Sequence, residues 1–561
     1  MAKEEVRCLL VSDFSLDNFA AYMRNDEDSP QVTPVVTPFG QVVQVLLGKN
    51  LERERVEPGV AVVWTQPHGV IQSFNQVLDY NSVSFDTVLA EVDDFCELIK
   101  NVKTSFRAIF VPLWVLPSYY RGYGMLDVKN DIGIANLLMR MNLRVADNMQ
   151  EESSIYLLNT QKWIEDSVRN PFNPELWYMA KIPFGNDVFK QAVKDIKSAL
   201  SGISGKAKKL IILDLDDTLW GGIVGDVGWE NVVLGGHDPI GESFVDFQKA
   251  LRALTNRGIL LGLVSKNEES VALEAIQKHP EMVLKLEDFA GWKINWGDKA
   301  QNVLDLVSEL NLGIDSVVFI DDSPVERARV REAVPEVFVP EWPQDKMQYR
   351  KALLGLRCFD TPVVSKEDLE RTRMYVSERQ RKSLKEQAGS LDEWYRTLET
   401  KVTVEELGDA NLSRAAQLLN KTNQMNLSTR RMTEAEFVSW GHKEDRKLWV
   451  FRVSDKFGDA GLTGIISLEK EGKAGKVTDF VLSCRVMGRK IEETMLHTLI
   501  AYARSLELEE VYARYIPTAK NRPCLRFFQN SDFENVDDSV FRWNLGRDYP
   551  KPEHIELTIA D

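Results

Sequence analysis

Lys209-Leu210-Ile211-Ile212-Leu213-Asp214-Leu215-Asp216-Asp217-Thr218-Leu219-Trp220-Gly221-Gly222 decides the fold. Its short apolar run, bounded by lysine and then by acids, reads as a buried strand of a parallel sheet. Ligands of such sheets bind outside the carboxyl ends of the strands. Asp214, Asp216 and Asp217 stand at that end, with Thr218 beside them. Burial gives no reason to gather carboxylates there, because like charges repel and desolvation sharpens the repulsion. A bound divalent cation removes the problem. Alternation along the extended end turns Asp214 and Asp216 to one side. The bland alternative is an acidic strand-to-loop turn.

Three further stretches follow in order. Gly258 to Val264 is strand-like and ends in Ser265-Lys266-Asn267. Trp296-Gly297-Asp298-Lys299 opens an amphipathic helix from Ala300 to Leu310. Ser316 to Ile320 runs into Asp321-Asp322-Ser323-Pro324. An acidic turn alone does not account for such a set, with polar groups at successive strand ends. Lys293 is a second lysine in the region, but it does not stand at the helix start.

The four stretches resemble the motifs of the haloacid-dehalogenase (HAD) superfamily of phosphotransferases. The resemblance implies Asp214 as the nucleophile on phosphorus and Asp216 as general acid/base. It implies Thr218, Ser265, Lys266 and Asn267 at the phosphate, and Lys299 as the cation that offsets phosphate and nucleophile. It also implies Mg²⁺ held by Asp214, Asp216 (through its main-chain carbonyl), Asp321 and Asp322.

A chain of 561 residues is too long for one ordinary core and implies about three domains. A net charge of −16 argues against a nucleic-acid binder and against a membrane-surface protein. Five cysteines without a C-x-x-C pair suggest reduced thiols in a cytoplasm. Six scattered histidines offer no metal-ligand spacing. Met1 to Leu10 does not read as a signal peptide, and no apolar run is long enough to span a bilayer.

Residues 1–205 alternate strand and helix signals: strands at Val6–Val11, Val32–Val36, Gln41–Leu47, Val60–Trp64 and Ala108–Val115, and a helix at Phe85–Lys100. Ser12 after the first strand resembles the first block of the SGNH-hydrolase fold. The Gly-Asp-Ser of that fold is absent, and His68 and Asn136 have no spacing that requires a triad. The expectation is a catalytically silent domain. A polar linker, Ser201 to Lys206, leads to the HAD-like domain at 206–360. A charged helical connector spans 361–400. In 401–561, strands at Leu448–Val453, Leu462–Leu468 and Lys476–Cys484, with a turn at Gly458–Gly461, precede Arg485-Val486-Met487-Gly488-Arg489-Lys490 and a helix from Ile491 to Leu506. A strand feeding a Gly/Arg loop at a helix start is an anion site. It resembles the pyrophosphate loop of GCN5-related N-acetyltransferases, with Lys490 where that loop has a small residue. The fold class expected is therefore α/β and multidomain: a central HAD Rossmann-like parallel sheet flanked by an SGNH-like α/β domain and an acetyltransferase-like α+β domain.

Together, Leu213 to Gly222, Ser265-Lys266-Asn267, Trp296 with Lys299, Asp321 to Pro324, and Ser483-Cys484-Arg485-Val486 with Gly488-Arg489 resemble the FkbH-like proteins of the HAD superfamily. That resemblance implies a glyceryl unit taken from 1,3-bisphosphoglycerate, a phosphorylated three-carbon metabolite. Phosphate is released and the acyl group is loaded on an acyl carrier protein for polyketide or related secondary metabolism. The carrier's phosphopantetheine arm would meet Arg485, Gly488 and Arg489. Cys484 stands at a strand end before the Arg/Gly loop, where positive charge and a helix dipole favour thiolate. It is the candidate acyl relay. Two alternatives stay open: a Mg²⁺-dependent phosphatase of a small metabolite, and a non-enzymatic scaffold that docks a carrier protein.

Overall fold

Five parallel strands build the first sheet: β1 (Glu5–Val11), β2 (Gln31–Val36), β3 (Val60–Val63), β4 (Ala108–Pro112) and β5 (Ile155–Leu158), in the order β2-β1-β3-β4-β5. Their residues alternate between two apolar layers. Leu9, Val11, Ala61, Val63, Ile109 and Val111 face one layer, with the helices Phe85–Asn101 and Ile134–Met149. Cys8, Leu10, Val60, Val62, Ala108 and Phe110 face the other, with the helices Asp17–Asn25 and Asn186–Ile203. Burial on both faces is what demands near-continuous apolar strands. The structure, a computed structural model, describes residues 5–48, 59–168, 170–362, 366–432, 434–441, 443–518 and 520–560.

The chain forms two compact units. The first is Met1–Lys209 with Asp315–Val317 and Gln348–Val364; the second is Leu210–Ile314, Val318–Met347 and Ser365–Asp561. The central sheet, the charged connector and the last sheet thus share a unit, and 348–364 groups with the first. The fold is α/β and multidomain, with parallel sheets.

The central sheet has four strands, β6 (Leu210–Leu213), β7 (Leu260–Ser265), β8 (Phe289–Ile294) and β9 (Val317–Ile320), in the order β8-β7-β6-β9. Every residue of β6, β7 and β9 is buried. The chain steps outward from β6 to β7 and β8, then returns to the far side of β6 for β9. That reversal opens a crevice at the carboxyl ends of β6 and β9.

The last sheet has nine strands: β10 (Lys401–Glu406), β11 (Met425–Asn426), β12 (Arg446–Asp455), β13 (Gly458–Glu471), β14 (Ala474–Leu482), β15 (Glu510–Arg514), β16 (Glu534–Asp537), β17 (Val540–Asn544) and β18 (Glu556–Ile559). Eight run in the order β16-β17-β15-β14-β13-β12-β10-β18, and β11 pairs with the end of β14. Most pairs are antiparallel, but β14–β15 and β10–β18 are parallel. The helix Ile491–Ser505 packs on one face through Met495, Leu499 and Ala503. Gly464 permits the approach, since a Cβ there would sit 3.1 Å from Phe451 Cβ and 3.2 Å from Met495 Sδ.

Three local expectations change. Gln41 to Leu47 is a helix, Val42–Leu46, not a strand. Val42, Val45 and Leu46 are its buried residues, at helical spacing. The first stretch of the expected linker, Ser201 to Ile203, continues the preceding helix. The β12–β13 hairpin turns at Lys456-Phe457, and Gly458 to Gly461 already belong to β13.

The charged connector is a helix, Lys366–Gln387, held by ions more than by apolar surface. Toward the central sheet, Arg379 donates to the carbonyls of Phe289 (2.6 Å) and Leu286 (3.2 Å) and lies 4.3 Å over the Trp292 ring. Toward the last sheet, Arg381 grips Asp455 bidentately at 2.7 and 2.8 Å. Arg489 joins the same carboxylate at 3.1 Å and Glu378 at 2.6 Å. Arg381, Asp455 and Arg489 are all buried. Asp455→Ala leaves two buried guanidinium groups without it, which costs about 3–5 kcal/mol. Thermal unfolding of the purified variant should move down accordingly; an unchanged midpoint would show the cluster to be dispensable.

Candidate active site

Asp214 and Asp321 leave their strands into the crevice between β6 and β9. The Asp214 N–H donates to the Ile320 carbonyl at 3.1 Å, which locks the two strand ends together. One oxygen each from Asp214, Asp321 and Asp322 lies within 4.8 Å of the others, the metal-ligand grouping found among the described residues. Lys299 is the first residue of the helix Lys299–Glu309, and Asp298 caps that helix by accepting the Ala300 N–H at 2.7 Å. The cap aims Lys299 Nζ inward, 2.6 Å from Asp321 and 3.0 Å from Asp214. Burial works against its charge, yet the two carboxylates hold it above the usual lysine range.

The Lys299–Asp214 contact is an ion pair without hydrogen-bond geometry, so Asp214 Oδ1 is buried with no hydrogen-bond partner among the described residues. Burial, then Asp214, push Asp321 up to about 6 against the pull of Lys299. Burial also raises Asp322, which Lys346 opposes from 3.6 Å. Three carboxyls, Asp214, Asp321 and Asp322, gather beside Lys299 and Lys346, while Arg327 donates to the carbonyls of Asp321 and Asp322 at 2.7 Å. Hard carboxylate oxygens with an open acceptor fit Mg²⁺.

Asp216 stands apart from the three ligating carboxylates. Its Oδ1 accepts from Trp220 Nε1 at 2.9 Å and from the Val224 N–H at 3.1 Å, and its Oδ2 accepts from Asn267 at 2.9 Å. Burial raises its pKa more than these donors lower it. A carboxyl fixed by three donors, with its pKa moved up by burial, suits acid/base work. The side chain is thus engaged away from the three carboxylates, and the metal role expected of Asp216 is that of its main-chain carbonyl.

The remaining expected residues separate by alternation. Ser265 and Asn267 are buried and bonded to each other at 3.2 Å. Lys266 between them points away and pairs with Glu326 at 2.7 Å, outside the expected phosphate role. Thr218 is buried and accepts the Asp322 N–H at 3.2 Å, so it braces the loop. Lys293 pairs with Glu309 at 2.7 Å. Lys346, which no motif signalled, donates to the Asp217 carbonyl at 2.7 Å and brings a second cation to the rim. Asp217 has a left-handed backbone, φ 54°, which exposes that carbonyl.

In the last domain Cys484 is exposed, whereas burial pushes Cys8, Cys96 and Cys358 up to about 12. Beyond burial, the Cys484 thiol is near enough to the Tyr375 phenol to raise it, with Arg371 and Arg485 opposing. Arg485 is half-buried and Gly488 exposed. Arg489 is not a surface charge: it is buried in the Asp455 and Glu378 cluster because those carboxylates compensate it. The Gly488 N–H donates to Glu492 at 2.8 Å, so a carboxylate of this chain already sits at the helix start.

No protein-family model and no curated protein matches the chain. Among solved structures it is similar to the N-terminal part of protein BF1531 from Bacteroides fragilis, which contains a phosphatase domain and was crystallised with Mg. The identity is 28% and the TM-score 0.58, over 64% of this chain and 95% of that one. Smaller matches include the ribosomal-protein-S18-alanine N-acetyltransferase of Escherichia coli, at 11% identity and TM-score 0.20 over 26% of this chain and 94% of that one. Another is the spermidine N-acetyltransferase of Vibrio cholerae, at 16% and 0.21 over 25% and 92%. No helix among the described residues is long and apolar enough to cross a membrane. Over 64% of its length the chain shares the fold of a structure that contains a phosphatase domain.

Proposed function

We propose that this chain is a Mg²⁺-dependent phosphotransferase that converts a phosphorylated three-carbon acyl phosphate, 1,3-bisphosphoglycerate, into a glyceryl thioester on an acyl carrier protein. The observation that carries the reading is the Asp214, Asp321, Asp322 triangle closed by Lys299, with Asp216 held separately by Trp220, Val224 and Asn267. Mg²⁺, held by Asp214, Asp321 and Asp322, would neutralise phosphoryl oxygens as a Lewis acid. Asp214 attacks the phosphorus of the C3 phosphate and the P–O bond to the C3 oxygen breaks. Asp216 gives that oxygen its proton. Water then attacks the aspartyl phosphate, Asp216 takes back a proton, and phosphate leaves.

The acyl phosphate must be opened differently. Attack at its phosphorus would release a free carboxylate and discard the activation. Attack at carbon by the Cys484 thiolate forms a C–S bond, breaks the C–O bond to phosphate, and keeps the acyl group activated. The carrier's pantetheine thiol, as thiolate, then displaces Cys484. What supports the relay is the exposure of Cys484, beside Arg485 and before a helix start. Cytoplasmic location accords with its free thiols.

A second reading, a phosphatase with a structural last domain, is favoured by Glu492 on Gly488 and by the buried Arg489. Cys484→Ser separates the two. The relay requires that carrier loading, read as added glyceryl mass on the intact carrier protein, fall by at least about a hundredfold while phosphate release from a phosphate monoester stays at the wild-type rate. Loading at the normal rate by the variant would remove the relay.

A further inference from the structure

We propose that acyl transfer and phosphate removal run at two separate sites on opposite ends of the central sheet, that Arg371 and Arg485 form a second phosphate site at Cys484, and that the acyl group reaches Cys484 with its C3 phosphate still attached. The inference rests on the Cys484 relay proposed above and adds where, and in what order, that relay works.

Asp214 follows β6 and Asp321 follows β9, so the metal triangle lies at the carboxyl ends of the strands. The connector helix Lys366–Gln387 lies at the other end. Arg371 donates to the Gly258 carbonyl at 2.9 Å, just ahead of β7. Arg379 donates to the carbonyl of Phe289, the first residue of β8, at 2.6 Å. Lys382 pairs at 2.7 Å with Glu309, the last residue of the helix whose first residue, Lys299, touches Asp214. The length of that helix sets the two ends roughly 15 Å apart.

The loop after Cys484 is fastened to the connector helix. Arg489 reaches Glu378 at 2.6 Å and also donates to the Arg485 carbonyl. Tyr375 precedes Glu378 on the helix and stands one turn after Arg371. Burial, then the Cys484 thiol, raise the Tyr375 phenol, while Arg371 and Arg485 oppose them, so the four groups meet. An exposed thiol therefore shares one place with two guanidinium groups, forks of N–H donors that match a phosphate.

Even fully extended, 1,3-bisphosphoglycerate sets its two phosphorus atoms roughly 7 Å apart. It cannot serve the thiol and Asp214 at once. The order follows from the chemistry. Offered the intact donor, an Asp214 nucleophile meets two phosphorus atoms, and attack at the acyl phosphate discards the activation. Acylation first removes that choice. The Cys484 thiolate attacks C1 and a C–S bond forms. The C–O bond breaks with its electron pair on the phosphate oxygen, and Arg371 and Arg485 take that phosphate. The carrier's thiolate then displaces Cys484. Its arm brings the phosphoglyceryl thioester to Asp214, where the C3 phosphorus is the one that remains.

The test is to incubate the full chain with 1,3-bisphosphoglycerate and Mg²⁺ without carrier protein, quench in acid, digest, and weigh the Cys484 peptide. Wild type and Asp214→Asn should both carry a phosphoglyceryl group, formed at equal initial rates. Arg371→Gln keeps a donor for Gly258 but no charge, and should slow acylation at least about tenfold, the worth of a charge-assisted hydrogen bond. Arg371→Lys restores the charge and should recover most of the rate. Acylation of the wild type that is lost in Asp214→Asn, or a glyceryl group on Cys484 without its phosphate, would overturn the two-site order and leave the relay standing. Equal rates for Arg371→Gln and Arg371→Lys would overturn the phosphate site. No acyl group on the wild type would remove the relay itself, and this inference with it.

Discussion

Asp214→Asn should lose phosphate release by about four orders of magnitude or more while unfolding at the wild-type temperature or above. The amide keeps the shape of the carboxyl but is no nucleophile toward phosphorus. The backbone bond from Asp214 to Ile320 is untouched, and Lys299 keeps its 2.6 Å pair with Asp321 when its 3.0 Å ion pair with Asp214 is weakened. Relieving one of the crowded carboxylates removes repulsion from Asp321, whose pKa burial first and Asp214 second push up. The check is a continuous phosphate assay paired with thermal unfolding. Normal turnover would take Asp214 out of the mechanism, and a collapsed midpoint would make it structural.

Excess chelator should cost about a thousandfold or more in activity, comparable with removing a preorganised electrostatic partner of a transition state. Phosphate brings further negative charge to a crevice that already gathers Asp214, Asp321 and Asp322. The same ion should stabilise the fold: at a hundred times its dissociation constant, binding adds about 2.7 kcal/mol. Mg²⁺ should therefore raise the unfolding temperature of the wild type. Asp322→Asn should reduce that rise, because it removes one ligand oxygen's charge. Full activity in chelator, or a midpoint indifferent to Mg²⁺, would rule out the metal site.

What was legible in the sequence was chiefly what defied burial. Acids gathered after an apolar strand announce a ligand, so Asp214, Asp321 and Asp322 could be named together before their contact was known. Lys299 was named through the resemblance to the third HAD motif at a helix start, and the structure places it behind an Asp298 cap, 2.6 Å from Asp321. Lys346 was not, because it comes from a short turn with no motif and reaches the site only through the tertiary fold. Neither was the turning away of Lys266, which follows from alternation but looks in sequence like part of a Ser-Lys-Asn cluster. Arg489 shows the opposite failure. A Gly/Arg loop before a helix reads as an open anion site, but Asp455 and Glu378, distant in sequence, claim the guanidinium. Residues 41–47 failed for a simpler reason: a run of β-branched residues this short fits either period, and packing chose the helix.

The most direct measurement is acid quench of the enzyme during turnover with 1,3-bisphosphoglycerate and Mg²⁺, followed by digestion and mass analysis of the peptide that spans residues 209–222. Asp216→Asn should slow hydrolysis of the intermediate and let it accumulate, since its acid/base carboxyl is gone. The expected result is one phosphoryl group on Asp214 in that variant, absent from Asp214→Asn. Phosphate release with no phosphoryl group on this peptide at any quench time would contradict an Asp214 nucleophile.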